Sequence, residues 1–247
     1  PMIRLLFTVV FTGFLASAAV GADEWIDLLA GDPAKVFQKV DPQWHAAKSV
    51  GIDPANPRKL LVAEEGTGLF TNAPKGTARD LYTRRGFGDV AVEIEFLIPQ
   101  KSNSGVKMMG LYEIQITDSF GKAKLTGSDS GGIYPRAELL PKYRHLDEGI
   151  APKTNACGKP GDWQKLEIAF RAARHQGEGA ARKKVANARY DRVVLNGQVV
   201  HENLEVTSPT GHNWSRAEPA KGPLMLQLDH GPIAVRRFVA RDLAPAK

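Results

Sequence analysis

Polar side chains that could carry out acid–base chemistry alternate with apolar ones in the stretch SNSGVKMMGLYEIQITDS, residues 102–119. Glu113 and Gln115 are two residues apart, which places them on one face of an extended chain, roughly 7 Å from each other. Comparable positions in other alternating stretches add Glu93, Glu95, Gln227 and Asp229, followed directly by His230. Two carboxylates at such separations can divide the roles of general acid and general base, as they do in glycoside hydrolysis.

The same residues also fit the solvated outer face of an antiparallel sheet, which is normally polar. Two turns favour a functional site. NSG at 103–105 leads into the stretch that carries Glu113, and DHGP at 229–232 forms a second polar turn at the end of another predicted strand. Loops held on a rigid sheet often carry function, so these strand ends are the candidate site.

The elements that position these residues are predicted β-strands, because their apolar residues recur with a period of two. The alternating stretches are VAVEIEFLI (90–98), LYEIQITD (111–118), QKLEIAFR (164–171), RVVLNGQVVHEN (192–203), PLMLQLDHG (223–231) and IAVRRFVARDL (233–243). Asn196-Gly197 predicts a two-residue type I′ hairpin between two of them. No long amphipathic helix alternates with the strands, which predicts an all-β fold, a sandwich of two antiparallel sheets. Before residue 60 we expect only a short helical turn broken by Pro33, with Trp25 or Trp44 anchoring the edge of the sandwich.

Length and composition fit one globular domain over residues 23–247, since the chain has 247 residues, 43% of them hydrophobic. Arg4 and the apolar run LLFTVVFTGFLASAAV predict a signal peptide over residues 1–22, cut after Ala22. A membrane anchor is the alternative, but the run is shorter than the roughly 20 apolar residues of a spanning helix. We therefore expect an exported protein, periplasmic or secreted, without stable membrane insertion after cleavage.

Several classes of function are disfavoured by the residues present. The single cysteine, Cys157, allows no internal disulfide and is expected to be a packed small side chain. Much of the net charge of +6 lies in residues 171–192, where Tyr190 is the single Phe, Tyr or Trp available for base stacking, so we expect a solvated hairpin and no nucleic-acid partner. P-loop, dinucleotide-binding, zinc-protease and GxSxG motifs are missing from the sequence.

No cofactor is identified from the sequence. Calcium is a candidate because Asp118, Asp129 and Glu138 lie in loop-like surroundings, but no ligand spacing specifies a site. The residues specify no oligomeric state.

Six longer stretches together resemble a known family, the 3-keto-disaccharide hydrolase domain family. They are FGDVAVEIEFLIPQKSNSG, YEIQITDSFG, GGIYPRAE, NACGKPGDWQKLEIAFRA, VVLNGQVVHEN and GPLMLQLDHGPIAVRRFVARDL, which cover most of residues 60–243. The resemblance implies a concanavalin-like jelly-roll sandwich whose concave sheet faces a sugar. The chain departs from the family's pattern at two positions that concern substrate preference. Met109 stands where many members have Arg, and Arg237 stands where many have Asn.

The activity that the resemblance implies is cleavage of a glycoside already oxidised to a ketone at C3. The ketone acidifies the hydrogen on C2, so a nearby base can remove it. Departure of the C1 oxygen gives an enone, and addition of water completes a net hydrolysis. The expected catalytic residues are Glu113 as base, His230 as acid or as a hydrogen-bond donor, and Asp229 to hold the His230 tautomer. The expected substrate-binding residues are Asn103 and Gln115 as positioners, Lys107 and Arg136 for the enolate, and also Gln227 and Glu95.

Two other functions stay open at this point. A carbohydrate-binding module would need aromatic platforms and hydrogen bonds but no titrating pair such as Glu113 and His230. A laminarinase-like glycosidase would carry an E-x-D-x-x-E strand, and EIEFLI at 93–98 lacks it.

Overall fold

The computed structural model describes residues 24–244, and the predicted signal peptide lies outside them. In the described part of the chain the strands are β1 (Ile26–Asp27), β2 (His45–Asp53), β3 (Asn56–Thr71), β4 (Leu81–Phe87), β5 (Val90–Leu97), β6 (Asn103–Met108), β7 (Tyr112–Thr117), β8 (Ala137–Glu138), β9 (Arg144–His145), β10 (Gln164–Arg171), β11 (Arg174–Gln176), β12 (Lys183–Ala186), β13 (Ala188–Leu195), β14 (Gln198–Val206), β15 (Gly222–Leu226) and β16 (Ala234–Asp242). The helical elements are α1 (Pro33–Val36) and a 3₁₀ turn (Gly179–Ala181).

Most strands belong to two antiparallel sheets. The larger sheet has the order β14-β13-β10-β5-β16-β3-β2, with β1 added along β16. The smaller sheet has the order β4-β15-β6-β7. Two short hairpins, β8-β9 and β11-β12, lie outside them. The predicted all-β, jelly-roll type sandwich is confirmed.

The core lies between the two sheets and is built from the apolar positions of the alternating stretches. It includes Val92, Ile94 and Phe96 of the larger sheet and Ile114 and Leu226 of the smaller one, all with no exposed surface. Because side chains alternate across a strand, burying this set directs Glu113, Gln115 and Gln227 to the opposite face of the smaller sheet.

The hairpin predicted at Asn196-Gly197 is confirmed. These two residues have φ angles of 51° and 79° and join the paired strands β13 and β14. The basic stretch forms the β11-β12 hairpin, as expected, but its first arginines are not simply solvated. Arg171 and Arg174 pair with the carboxylate of Asp89, at 3.2 and 2.6 Å.

The prediction for the N-terminal region was partly wrong. Helix α1 begins at Pro33 and is capped by the Asp32 side chain, so the proline starts the helical turn rather than breaking it. Trp44 is buried and stacks on Phe70, with ring centroids 5.9 Å apart, whereas Trp25 is exposed. Strand pairing also begins well before residue 60, in β1 and β2.

Candidate functional site

A cleft of about 550 Å³ lies over the outer face of the smaller sheet. One row of side chains crosses its floor, because Tyr82, Met225, Lys107 and Glu113 are successive register partners on β4, β15, β6 and β7. All four line the cleft. The floor therefore combines a phenol, a thioether, an ammonium group and a carboxylate within one cross-strand row.

Lys107 and Glu113 form an ion pair at the end of this row. Nζ of Lys107 is 3.2 Å from Oε2 of Glu113, and their side chains are only 11% and 3% exposed. Burial raises the pKa of Glu113 above its ordinary value of 4.5, while the charge and hydrogen bond of Lys107 oppose the rise. Asp80 adds a smaller upward effect on this pKa. The result is a carboxyl group better matched to proton transfer near neutral pH than an exposed glutamate.

The Glu113 side chain lies close against strand β6, and this is possible because its diagonal neighbour there is Gly105. A Cβ atom added at Gly105 would lie 2.5 Å from Oε1 of Glu113. The prediction of a turn at 103–105 was wrong, because NSG forms the start of β6 and is paired with β7. The glycine of this NSG stretch leaves the space in which the carboxylate rests on the sheet.

A second polar row follows on the same face. Nε2 of Gln115 donates to Oδ1 of Asn103 at 2.7 Å, which fixes the Asn103 amide at the edge of the cleft. Gln115 is 2% exposed, and its Oε1 is buried without a hydrogen-bond partner among the described residues. The two residues that the sequence predicted as positioners are therefore joined to each other.

The turn after β15 supplies a carboxylate and an imidazole. Nδ1 of His230 bonds to Oδ1 of Asp229, and Nε2 of Gln227 lies 3.2 Å from the same ring nitrogen. Because both contacts involve Nδ1, Nε2 of His230 is the ring nitrogen that can bind a ligand. Nearby, Asp80 accepts from the backbone N–H of Leu228 at 2.9 Å, and burial raises the pKa of its carboxyl.

The structure brings together most of the residues predicted from sequence. Those that line the cleft are Glu113, Lys107, Asn103, Gln227, Asp229 and His230. Gln115 lies directly behind Asn103, as described above.

Two predicted binding residues lie elsewhere. Glu95 is on β5 in the larger sheet, where its carboxylate pairs with Arg236 at 2.7 Å, so the sandwich separates it from the cleft. Arg136 pairs with Asp147 at 2.6 Å and lines a neighbouring cavity that shares Tyr134 with the cleft. The period of two places a side chain on a face but does not say which sheet the strand joins.

Several cleft residues were missed because they lie on loops without a periodic pattern. Two loop segments contribute walls of the cleft: one carries His212, Asn213 and Arg216, and the other carries Tyr134, Leu139 and Tyr143. The hydroxyls of Tyr134 and Tyr143 are 2.9 Å apart. In this part of the sequence, Asn213 is noticeable only as the start of the glycosylation sequon Asn213-Trp214-Ser215. The YPR stretch is noticeable only as part of the family resemblance.

Hydrogen bonds from distant segments fix these walls to β7. The Thr210 Oγ1 accepts from the backbone N–H of Glu113 at 3.0 Å, and the Tyr134 N–H donates to the Glu113 carbonyl at 3.2 Å. Both loops therefore form hydrogen bonds with the backbone of Glu113.

No group of three or more His, Cys, Asp or Glu side chains within residues 24–244 is arranged to hold a metal ion. Of the candidates for calcium, Asp129 pairs with Lys122 at 2.7 Å and Glu138 with Arg144 at 2.6 Å. The Asp118 carboxylate accepts from the Lys101 N–H at 3.0 Å. No helix in the described range is long and apolar enough to cross a membrane.

The two departures from the family pattern both lie away from the cleft floor. Met109 is buried in the core at the bend between β6 and β7, with a φ of 57°. Arg237 pairs with Glu93 at 3.2 Å on the larger sheet. Neither is among the residues that line the cleft.

A β-sandwich with a polar, aromatic-rimmed cleft over one sheet is the arrangement of a carbohydrate-active protein. The family comparison gives the same class and narrows it: residues 24–240 match the model of the 3-keto-alpha-glucoside-1,2-lyase-like domain, and the chain belongs to this family. The predicted family is thereby confirmed.

Solved structures share the fold. Two crystal structures from Parabacteroides distasonis ATCC 8503, of proteins provisionally identified as glycosyl hydrolases, match with a TM-score of 0.56 each. One is 22% identical and the match covers 90% of this chain and 84% of that one. The other is 18% identical, with coverage of 90% and 100%. A comparison with curated proteins found no match.

Proposed function

We propose that this protein cleaves 3-keto-glycosides, such as 3-keto-disaccharides, by removing the C2 proton and expelling the C1 oxygen. The observation that carries the proposal is the buried Lys107–Glu113 pair on the floor of the cleft, in a chain of this family. The apolar segment ahead of Ala22 supports export as part of the proposal.

The spacing of the pair suits the first step. In a 3-keto sugar, the acidic C2 hydrogen and the C3 carbonyl oxygen are borne by adjacent carbons. A carboxylate and an ammonium group 3.2 Å apart can face both at once. Glu113 then takes the proton while Lys107 stabilises the negative charge that develops on the C3 oxygen.

The other polar groups fit the remaining roles. His230 lines the cleft and is held through Nδ1 by Asp229, and its role in the proposal is to protonate the departing C1 oxygen. Asn103, held by Gln115, offers its free amide N–H groups to sugar hydroxyls. Tyr134 and Tyr143 give the apolar surface on which a second ring can rest.

The test uses purified protein with 3-keto-trehalose and 3-keto-sucrose, each beside its unoxidised parent sugar. We expect release of the leaving sugar from the keto substrates only, and exchange of the C2 proton in heavy water. Glu113→Gln should reduce both rates by about 100-fold or more, because general bases contribute at least this much. Full rates of both in the Glu113→Gln variant would show that another group is the base.

A carbohydrate-binding module is the second candidate, favoured by one observation. The rim residues Tyr143 and Leu139 are 47% and 54% exposed, and exposed apolar surface beside polar groups is typical of sugar-binding platforms. Micromolar binding of a glycan without turnover of any keto sugar would support this function instead.

A further inference from the structure

A second imidazole, that of His212, lines the cleft and lies on the loop that follows β14. Residue Thr210 anchors this loop, because its N–H donates to the Leu111 carbonyl at 3.0 Å and its hydroxyl oxygen accepts from the Glu113 N–H. Gly211, with a φ of 57°, donates to the Pro135 carbonyl at 2.9 Å. His212 follows directly, so its backbone position is fixed relative to Glu113.

The His212 ring is available for chemistry. It lines the cleft, is exposed to solvent, and has no hydrogen-bond partner among residues 24–244. The ring of His230 differs, since its Nδ1 is bonded to Asp229. The cleft therefore presents one imidazole tied to a carboxylate and one that is free to bind water.

The charges around His212 favour its neutral form. Burial lowers the pKa of the imidazole, and the positive charges of Lys107 and Arg216 lower it further. A neutral imidazole at neutral pH is a proton acceptor, which is the form that a general base requires.

We propose that His212 is the general base that activates water for addition to C1 of the enone. This inference rests on the proposed function, because the enone is the product of the C2 deprotonation and C1–O cleavage described above. His212 is thereby a catalytic residue of the second half-reaction, which decides whether the protein releases an enone or a hydrated 3-keto sugar.

The step balances without any further reagent. The water oxygen forms a bond to C1 while its proton passes to His212. The electrons of the C1–C2 double bond move toward the C3 carbonyl and give an enolate, which Lys107 stabilises. Protonated Glu113 returns the proton to C2, and His212 loses its proton to solvent. The sum adds one water across the double bond.

The experiment supplies the two half-reactions separately. The isolated enone tests hydration alone, and 3-keto-trehalose tests elimination, with both followed by proton NMR. For His212→Gln we expect hydration of the enone to slow by about 100-fold or more, and release of the leaving sugar to change by less than about threefold. Enone should therefore accumulate from 3-keto-trehalose only in this variant.

Two further variants sharpen the test. In His212→Ala, added imidazole should restore hydration, since the site is open to solvent and the missing group is the base itself. His45→Gln, which removes an imidazole from β2 in the larger sheet, should match the wild type in both half-reactions.

The inference is overturned if His212→Gln hydrates the enone at the wild-type rate, if both half-reactions slow equally, or if the wild type does not hydrate the enone at all. Failure of the proposed function gives a different result. In that case the wild type releases no sugar from 3-keto-trehalose, whatever it does with the enone.

Discussion

At the scale of single residues, the Glu113 carboxyl group is the centre of the proposed chemistry. It is nearly removed from water, and its charge is offset by one neighbouring ammonium group. The balance between these two influences sets its pKa, and the pKa sets the pH range in which it can act as a base.

The pH dependence of the reaction follows from the direction of this shift. Burial raises the pKa of Glu113 above 4.5, and a base must be ionised to accept a proton. We expect kcat/KM for 3-keto-trehalose to fall as the pH decreases through a value higher than 4.5. Initial rates between pH 4 and 9 measure this, and a rate that is constant down to pH 4.5 would contradict it.

Replacing Lys107 by methionine tests its two roles together. The loss of charge removes the influence that lowers the pKa of Glu113, so the acid limb of the pH profile should move to higher pH. The loss of a donor to the enolate should reduce the maximal rate by about 100-fold or more. Lys48→Met is the matched control, because Lys48 is exposed and pairs with Glu64 on the larger sheet. An unchanged acid limb in Lys107→Met would show that the pair does not set the pKa.

At the scale of elements, β6 and β7 shape the floor through their register. Gly105 is paired with Gln115, and Lys107 with Glu113, so the small residue lies diagonally beside the carboxylate. The NSG stretch at the start of β6 therefore contributes space as well as a polar side chain.

Gly105→Ala tests whether this space is needed. The new Cβ would lie 2.5 Å from Oε1 of Glu113, so the carboxylate must move. We expect a loss of activity of about tenfold or more, with a destabilisation of about 1–3 kcal/mol from overpacking. Gly51→Ala on β2 is the control, because a Cβ there meets no atom within 4 Å. Activity of Gly105→Ala equal to that of Gly51→Ala would exclude the expected displacement. Turnover of 3-keto-trehalose and urea unfolding are the two measurements.

At the scale of the whole molecule, buried hydrogen bonds tie the larger sheet to the loops around the site. His201 on β14 is 3% exposed, and its Nε2 lies 2.9 Å from the Gly131 carbonyl. Gly131 in turn donates to the carbonyl of Gln115 on β7 at 2.8 Å. Two hydrogen bonds through Gly131 thus connect β14, an edge strand of the larger sheet, to β7, an edge strand of the smaller sheet.

This arrangement predicts a loss of stability in acid. Burial lowers the pKa of His201 from 6.5 to about 4, so the unfolded chain binds a proton more readily than the folded one. The contribution of His201 is full above pH 6.5 and is lost as the pH falls towards 4, with a maximum of about 3 kcal/mol.

Urea unfolding at several pH values between 4 and 7 measures this loss. In His201→Gln, which cannot be protonated, the fall in the free energy of unfolding over this range should be smaller than in the wild type. Equal falls in both proteins would show that His201 does not bind a proton on unfolding.

The sequence by itself determined the strands of the alternating stretches from residue 90 onward, their inward faces and the hairpin at Asn196-Gly197. These follow from local rules, since a period of two assigns each side chain to a face and an Asn-Gly pair favours positive φ. For this reason the outward direction of Glu113 and Gln115 was predicted correctly.

Only the tertiary structure decided which outward-facing residues meet. Glu95 and Glu113 have the same pattern in sequence, yet one lies on the larger sheet and the other under the cleft. The walls depend on contacts between residues far apart in the chain, such as that of Thr210 with Glu113. Burial of Glu113, and with it the raised pKa of this residue, comes from these distant segments and so has no local signal in the sequence.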